Sequence, residues 1–257
     1  YNSIQGIVHT LPILPPAPND AKSWVDTAAR QNLNLLASNY AVSSAEQTLK
    51  QRKAGHLPTL DAVAKYEKGD NDALGFANPN SFGAPYGGNV EQSTLGLQLN
   101  IPIYSGGLTS SQVRQSYAQL DQSEQQRESL RRQVVENTRN LHRAVNTDVE
   151  QVQARRQSII SNQSAVEATD IGYQVGTRNI VDVLDAQRQL YTSVRNYNNT
   201  RYDYILDNLR LKQAAGTLNP GDLEDLRRYL KADYNPDKDF LPPDLASAAE
   251  AQLKARP

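Results

Sequence analysis

The chain has 257 residues and a formal net charge of −1, and it is 38% hydrophobic, 7% aromatic and 21% charged. That length admits one or two domains, and the near-balance of charge leaves no electrostatic footprint for nucleic acid. With no cysteine and with His9, His56 and His142 scattered, no metal-ligand or nucleophile–base spacing can be built, so no metal, cofactor or enzymatic activity is expected.

The chain opens on Tyr1 without a signal-peptide pattern, which reads as a mature or truncated product. No run of 18 apolar residues occurs, which removes a transmembrane helix but not a membrane strand. After a proline-rich opening containing LPILPP, the spacing predicts a helix over 20–54. Asp20 is placed as its cap, Gly55 ends it, and Pro58 turns the chain into a strand.

TLDAVAKYEK, residues 59–68, alternates Leu60, Ala62, Ala64 and Tyr66 against Thr59, Asp61, Val63, Lys65 and Glu67. TLGLQLNIPIY, residues 94–104, sets Leu95, Leu97, Leu99, Ile101 and Ile103 against Thr94, Gly96, Gln98, Asn100 and Pro102. Each is about the ten residues that a tilted transmembrane strand requires. Gly69 to Gln92, rich in Gly, Asn and Pro, is read as a long loop between them. The pair forms a hairpin with one apolar face, on either a membrane barrel or a soluble core.

Between Pro102 and Pro220 there is no proline, and from Leu108 to Ile171 there is no glycine. One helix of roughly 100 Å follows. Val145, Val152, Ile159 and Val166 recur every seven residues, with Val134 and Leu141 one step out of phase and Val113 and Leu120 opening the series. Such a repeat marks a coiled-coil seam, and a stripe this thin leaves much of the helix wet. After a turn at Gly172–Gly176, a second helix is predicted from about Asn179 to Ala215, closed by Gly216. The two shorter helices together match the long one. Stacked end to end beside it, they leave residues 1–19 and 216–257 at the waist where they meet.

Within YQVGTRNIVDVLDAQ, residues 173–187, Asp182 and Asp185 lie three apart and share a helix face. By spacing alone they read as surface carboxylates favoured by a helix N-terminus, worth about 0.3–1 kcal/mol. Arg178 opposes that dipole and is better explained by a partner across an interface.

The order helix, GHLPTLD strand, Gly-rich loop, GLQLNIPIYSGG strand, long helix, GYQVGTRNIVDVLDAQ and AAGTLN resembles the second structural repeat of the TolC family of outer-membrane efflux and secretion channels, over about residues 20–230. The resemblance implies a mainly α fold with a β-hairpin: long antiparallel coiled-coil helices forming part of an α-barrel, plus two strands of a transmembrane β-barrel. It implies a homotrimer in the bacterial outer membrane, extending into the periplasm. Its expected partners are outer-membrane lipid, a periplasmic adaptor (membrane fusion protein) and an inner-membrane transporter.

On the same resemblance, Asp182 and Asp185 form the gate constriction, Tyr173 and Arg178 belong to the closed-state links, and Gly172, Gly176 and Thr177 form the adaptor-contact tip. Leu95, Leu97, Leu99, Ile101 and Ile103 face lipid. Residues 1–19 then close a preceding repeat or its waist segment, 20–56 form a periplasmic helix, and 57–105 the outer-membrane hairpin with its extracellular loop. Residues 106–215 form the periplasmic helical hairpin, with its tip near 172–178, and 216–257 a waist (equatorial) segment with a C-terminal tail. That tail, proline-rich and polar, reads as loosely attached. Two strands cannot satisfy their outer backbone groups in lipid, so one repeat makes no pore alone. Two other classes fit parts of the pattern: a structural coiled-coil scaffold or tether of the envelope, which leaves the hairpin without a purpose, and a hydrolase using Asp182 and Asp185 as acid and base.

Overall fold

The computed structural model describes residues 6–71, 88–234, 239 and 241–246. Its elements are β1 (Gly6–Ile7), α1 (Ala21–Gln31), α2 (Leu33–Ala54), β2 (Thr59–Asn71), β3 (Gly88–Asn100), α3 (Leu108–Gln174), α4 (Ile180–Ala215), α5 (Pro220–Arg227) and β4 (Leu230–Lys231). No described helix is long and apolar enough to cross a membrane. The chain divides into two compact units, one of Tyr40–Gln125 and one of Tyr1–Asn39 with Gln126–Pro257.

In the Tyr40–Gln125 unit, β2 and β3 pair antiparallel, with Leu60 opposite Leu99, Ala62 opposite Leu97 and Ala64 opposite Leu95. Residues directly opposite share a face, so this register gathers the leucines and alanines of both strands on one side, with Val63 on the other opposite Gly96. Asp61, Lys65 and Glu67, opposite Gln98, Thr94 and Gln92, fall on the other. The apolar face ends where Lys68 Nζ meets Glu91 Oε1 at 2.6 Å.

The strands are longer at one end, and shorter at the other, than alternation predicts. Residues 69–71 and 88–92, read as loop, are strand, because backbone pairing continues where side-chain alternation fades. Residues 72–87 lie outside the described residues. At the other end β3 stops at Asn100, so Ile101 and Ile103 follow the strand instead of belonging to it. Pro102 between them has no N–H to give a ladder. Gly106 and Gly107, at φ +61° and +81°, then turn the chain into α3.

In the other unit, α3 and α4 pack through two apolar clusters. Val145 and Val149 meet Tyr204, Ile205 and Leu211, while Val152 and Ile159 meet Val194 and Tyr197. The heptad residues Val134, Val145, Val152 and Ile159 are buried, as their period predicts. Thr138 is fully buried in the same series although it is polar; its Oγ1 donates to the Val134 carbonyl at 2.7 Å, which hides the hydroxyl inside the helix.

The helix expected over 20–54 is two helices. Asp20 caps α1 by accepting from the Lys22 and Ser23 N–H groups. The break falls at Asn32, whose ψ of 120° leaves the helical region. Its Oδ1 accepts from Leu35 N at 3.0 Å, capping α2, and its Nδ2 donates to the Ala214 carbonyl at 2.9 Å. One buried side chain thus satisfies the start of α2 and the end of α4. Beside it, Gly216 at φ +74° ends α4, and a Cβ there would collide with the Gln31 carbonyl.

Both terminal segments are held on this unit. β1 pairs with β4, and the Tyr204 hydroxyl donates to the Leu14 carbonyl at 2.9 Å. Leu241 is buried in the second cluster, Asp244 pairs with Arg156, and Gln163 donates to the Leu245 carbonyl at 3.3 Å. The tail read as loosely attached is therefore anchored over 239 and 241–246, because Leu241, Leu245 and Ala246 supply apolar contacts among its prolines. Residues 235–238, 240 and 247–257 lie outside the described residues.

Candidate functional site

α3 ends and α4 begins at a tip built by the stretch GYQVGTRN. Gly176 takes φ +76°, a left-handed conformation that glycine adopts without penalty. The Gly176 N–H then donates to the Tyr173 carbonyl at 3.0 Å and the Thr177 N–H to the Gly172 carbonyl at 2.8 Å, which closes α3 with paired cap hydrogen bonds. The Gly172 carbonyl also accepts from Arg178 N at 3.1 Å and from Thr177 Oγ1 at 3.0 Å.

α4 starts at Asn179, whose Oδ1 accepts from Asp182 N at 2.9 Å while Asp182 Oδ2 accepts from Asn179 N at 3.4 Å. The reciprocal pair is a capping box, and Asp182 completes it. The spacing Asn-x-x-Asp was the available signal, and it recurs at Asn219 and Asp222 to start α5. Asp185, one turn on, pairs with Arg188 at 3.0 Å on an exposed surface. Asp182 is half-buried, Asp185 exposed, and Val183 between them faces the core.

The structure thus brings Tyr173, Arg178, Asp182 and Asp185 to one end of the α3–α4 hairpin. Tyr173 is 45% exposed, and among the described residues neither its hydroxyl nor the Arg178 guanidinium has a hydrogen-bond or ion-pair partner. Ile171, Val175, Ile180, Val181 and Leu184 are exposed around them. This surface has apolar groups, two hydrogen-bonding groups without partners, and two carboxylates with spare acceptor capacity. The other candidate surface is the apolar face of the β2–β3 hairpin, where Leu95, Leu97 and Leu99 are exposed; Ile101 and Ile103 are exposed beyond the strand end.

Sequence reading missed the polar node on α4. Arg201 is buried and donates to the Val8 carbonyl at 2.6 Å and to His9 Nδ1 at 3.0 Å. Asp148 on α3 is also buried, with Oδ2 unpartnered among the described residues and its carboxyl pushed up to about 6 by burial and by the nearby Asp207 and Asp203. Neither carries a periodicity or motif that a single sequence reveals.

Residues 24–217 match the family model described as outer membrane efflux protein. Outer membrane protein TolC of Escherichia coli is 36% identical over 214 residues, covering 83% of this chain and 43% of that protein. TolC of Vibrio cholerae is 37% identical over 211 residues, covering 82% and 47%. The proteases secretion protein PrtF of Dickeya chrysanthemi is 28% identical over 223 residues, covering 87% and 46%. The chain thus spans less than half the length of these relatives. Among solved structures, the Campylobacter jejuni CmeC outer membrane channel superposes with a TM-score of 0.62 at 20% identity, covering 79% of this chain and 42% of that one, which shows a shared fold.

Proposed function

Because the chain belongs to the outer membrane efflux protein family, we propose that it is one repeat of a passive outer-membrane exit duct, gated at its periplasmic tip and working in a tripartite efflux or type I secretion system. The family is one of channels, not enzymes, and the hydrolase alternative is dropped. Asp182 completes a helix cap and Asp185 pairs with Arg188, which is ordinary surface chemistry for both carboxylates.

In this reading the β2–β3 hairpin joins a barrel completed by other repeats, with Leu95, Leu97 and Leu99 toward outer-membrane lipid. Three copies assemble, and residues 1–19 and 216–257 lie at the waist; the packing of both terminal segments on α3 and α4 supports that placement. Gly172, Gly176 and Thr177 meet a periplasmic adaptor, which couples the duct to an inner-membrane transporter. Asp182 and Asp185 repeat around the axis as two stacked carboxylate rings.

The observation that carries the gate is that Tyr173 and Arg178 stand at the hairpin tip without side-chain partners among the described residues. In an assembly they link to acceptors on neighbouring hairpins. At about 1.5–3 kcal/mol for each charge-assisted bond, two or three links per protomer hold the resting state shut. Tyr173→Phe combined with Arg178→Ser in the full-length channel should raise single-channel conductance in planar bilayers while trimer melting stays nearly unchanged. A double variant that assembles normally and conducts like the parent would remove these residues from the lock.

A further inference from the structure

We infer that Gly172 is the positioning residue for Arg178: its missing side chain leaves the space through which the arginine stem crosses the last turn of α3. The inference rests on the reading of Arg178 as part of the closed-state lock.

Gly172 lies inside α3 with no left-handed backbone to explain it, and glycine in a helix is less stable than alanine. Gly176 differs: its φ of +76° demands glycine, and a Cβ there would meet nothing within 4 Å. A Cβ on Gly172 would lie 2.7 Å from Arg178 Cγ, 3.3 Å from Thr177 Oγ1 and 3.5 Å from Arg178 Cβ. The first distance is too short for two carbons. The backbone cannot readily yield, because the Gly172 carbonyl holds the N–H groups of both Thr177 and Arg178 and the Thr177 hydroxyl. What can yield is the Arg178 side chain, by leaving its rotamer. A change at Cγ is amplified along the stem, so the guanidinium is redirected. Gly172 therefore sets the aim of Arg178 without itself giving a side-chain group to the lock.

The test uses the purified full-length channel in planar bilayers with no adaptor present, so that an adaptor contact cannot register. Gly172→Ala, Arg178→Ser and the two together are compared by single-channel conductance and by trimer melting. Gly172→Ala should raise conductance toward the Arg178→Ser level without lowering trimer melting. The double variant should match Arg178→Ser alone, because with the guanidinium gone the added methyl has no lock-forming group left to redirect. If Arg178→Ser raises conductance and Gly172→Ala leaves it at the parental value, the positioning role is overturned and the lock stands. A double variant that conducts more than Arg178→Ser also overturns it, since Gly172 then acts by another route. If Arg178→Ser itself conducts like the parent, the lock reading fails and the inference falls with it.

Discussion

Arg201 donates a hydrogen bond to Nδ1 of His9 at 3.0 Å, which fixes the state of the imidazole. Arginine cannot accept, so Nδ1 is the bare nitrogen and Nε2 carries the hydrogen that reaches the Asp239 carbonyl at 3.0 Å. The ring also stacks on Tyr197. His9 thereby joins the N-terminal segment, α4 and the C-terminal segment as a neutral side chain.

Burial pulls the His9 pKa below its ordinary value of 6.5; the Arg201 charge pulls the same way, while the Asp239 and Asp244 carboxylates and the bond to the Asp239 carbonyl oppose it. A histidine whose folded-state pKa is lowered stabilises the fold above its unfolded value, and that contribution is lost as pH falls below 6.5 through the folded value. Hydrogen-exchange protection at 6–14 and 241–246, taken relative to the intrinsic rate at each pH, should therefore fall between pH 7.5 and 5.5. His9→Gln, which can still accept and donate, should flatten that step. An equal step in the variant would place the sensitivity elsewhere.

Asp148 has the opposite sign. With its carboxyl pushed up to about 6, the folded state binds the proton more tightly than the unfolded chain, so stability falls as pH rises from about 4 to about 6. The charges facing it are Asp203 and Asp207, the latter paired with Arg210 at 2.8 Å. Asp148→Asn should remove that pH dependence and stabilise the protein at pH 7.5. The gain comes from removing the charge that burial and the carboxylates of Asp207 and Asp203 oppose. Thermal melting at pH 4.5 and 7.5 checks both parts.

The pairing register of the hairpin predicts a one-residue contrast. Leu99 shares its face with Leu60, and Gln98 shares the other with Asp61. If the leucine face meets lipid, Leu99→Arg should cost about 2–4 kcal/mol of barrel stability while Gln98→Arg is tolerated. Unfolding of the full-length protein in detergent or lipid measures both, and equal effects would remove the barrel assignment.

Carboxylate rings in a narrow pore attract cations and bind multivalent ones. Replacing Asp182 and Asp185 with Asn should weaken cation preference and multivalent-cation block in planar-bilayer recordings. Because Asp182 also completes the α4 cap, a small loss of helix-start stability, about 0.5–1 kcal/mol, should accompany the change. Unchanged selectivity and block would place both carboxylates outside the conducting path.

Features set by short-range physics were legible from the residues alone. A seven-residue apolar repeat without Gly or Pro can only be a long helix with a narrow seam, and α3 follows with Val145, Val152 and Ile159 buried. Alternation in β2 and β3 gave the hairpin and its apolar face, and Gly176 and Gly216 marked the helix ends because each needs a left-handed backbone. GYQVGTR followed by IVDVLDA pointed to the family. What only the tertiary structure decided depends on groups far apart in the chain. Asn32 breaks a predicted helix because its amide reaches the end of α4, 182 residues away. The polar tail is held because Arg156 and Gln163 wait for it on α3. Thr138, Asp148 and Arg201 are buried although their side chains are polar, since burial is set by what the tertiary fold lays over each face. Periodicity says where a face is; it does not say what covers it.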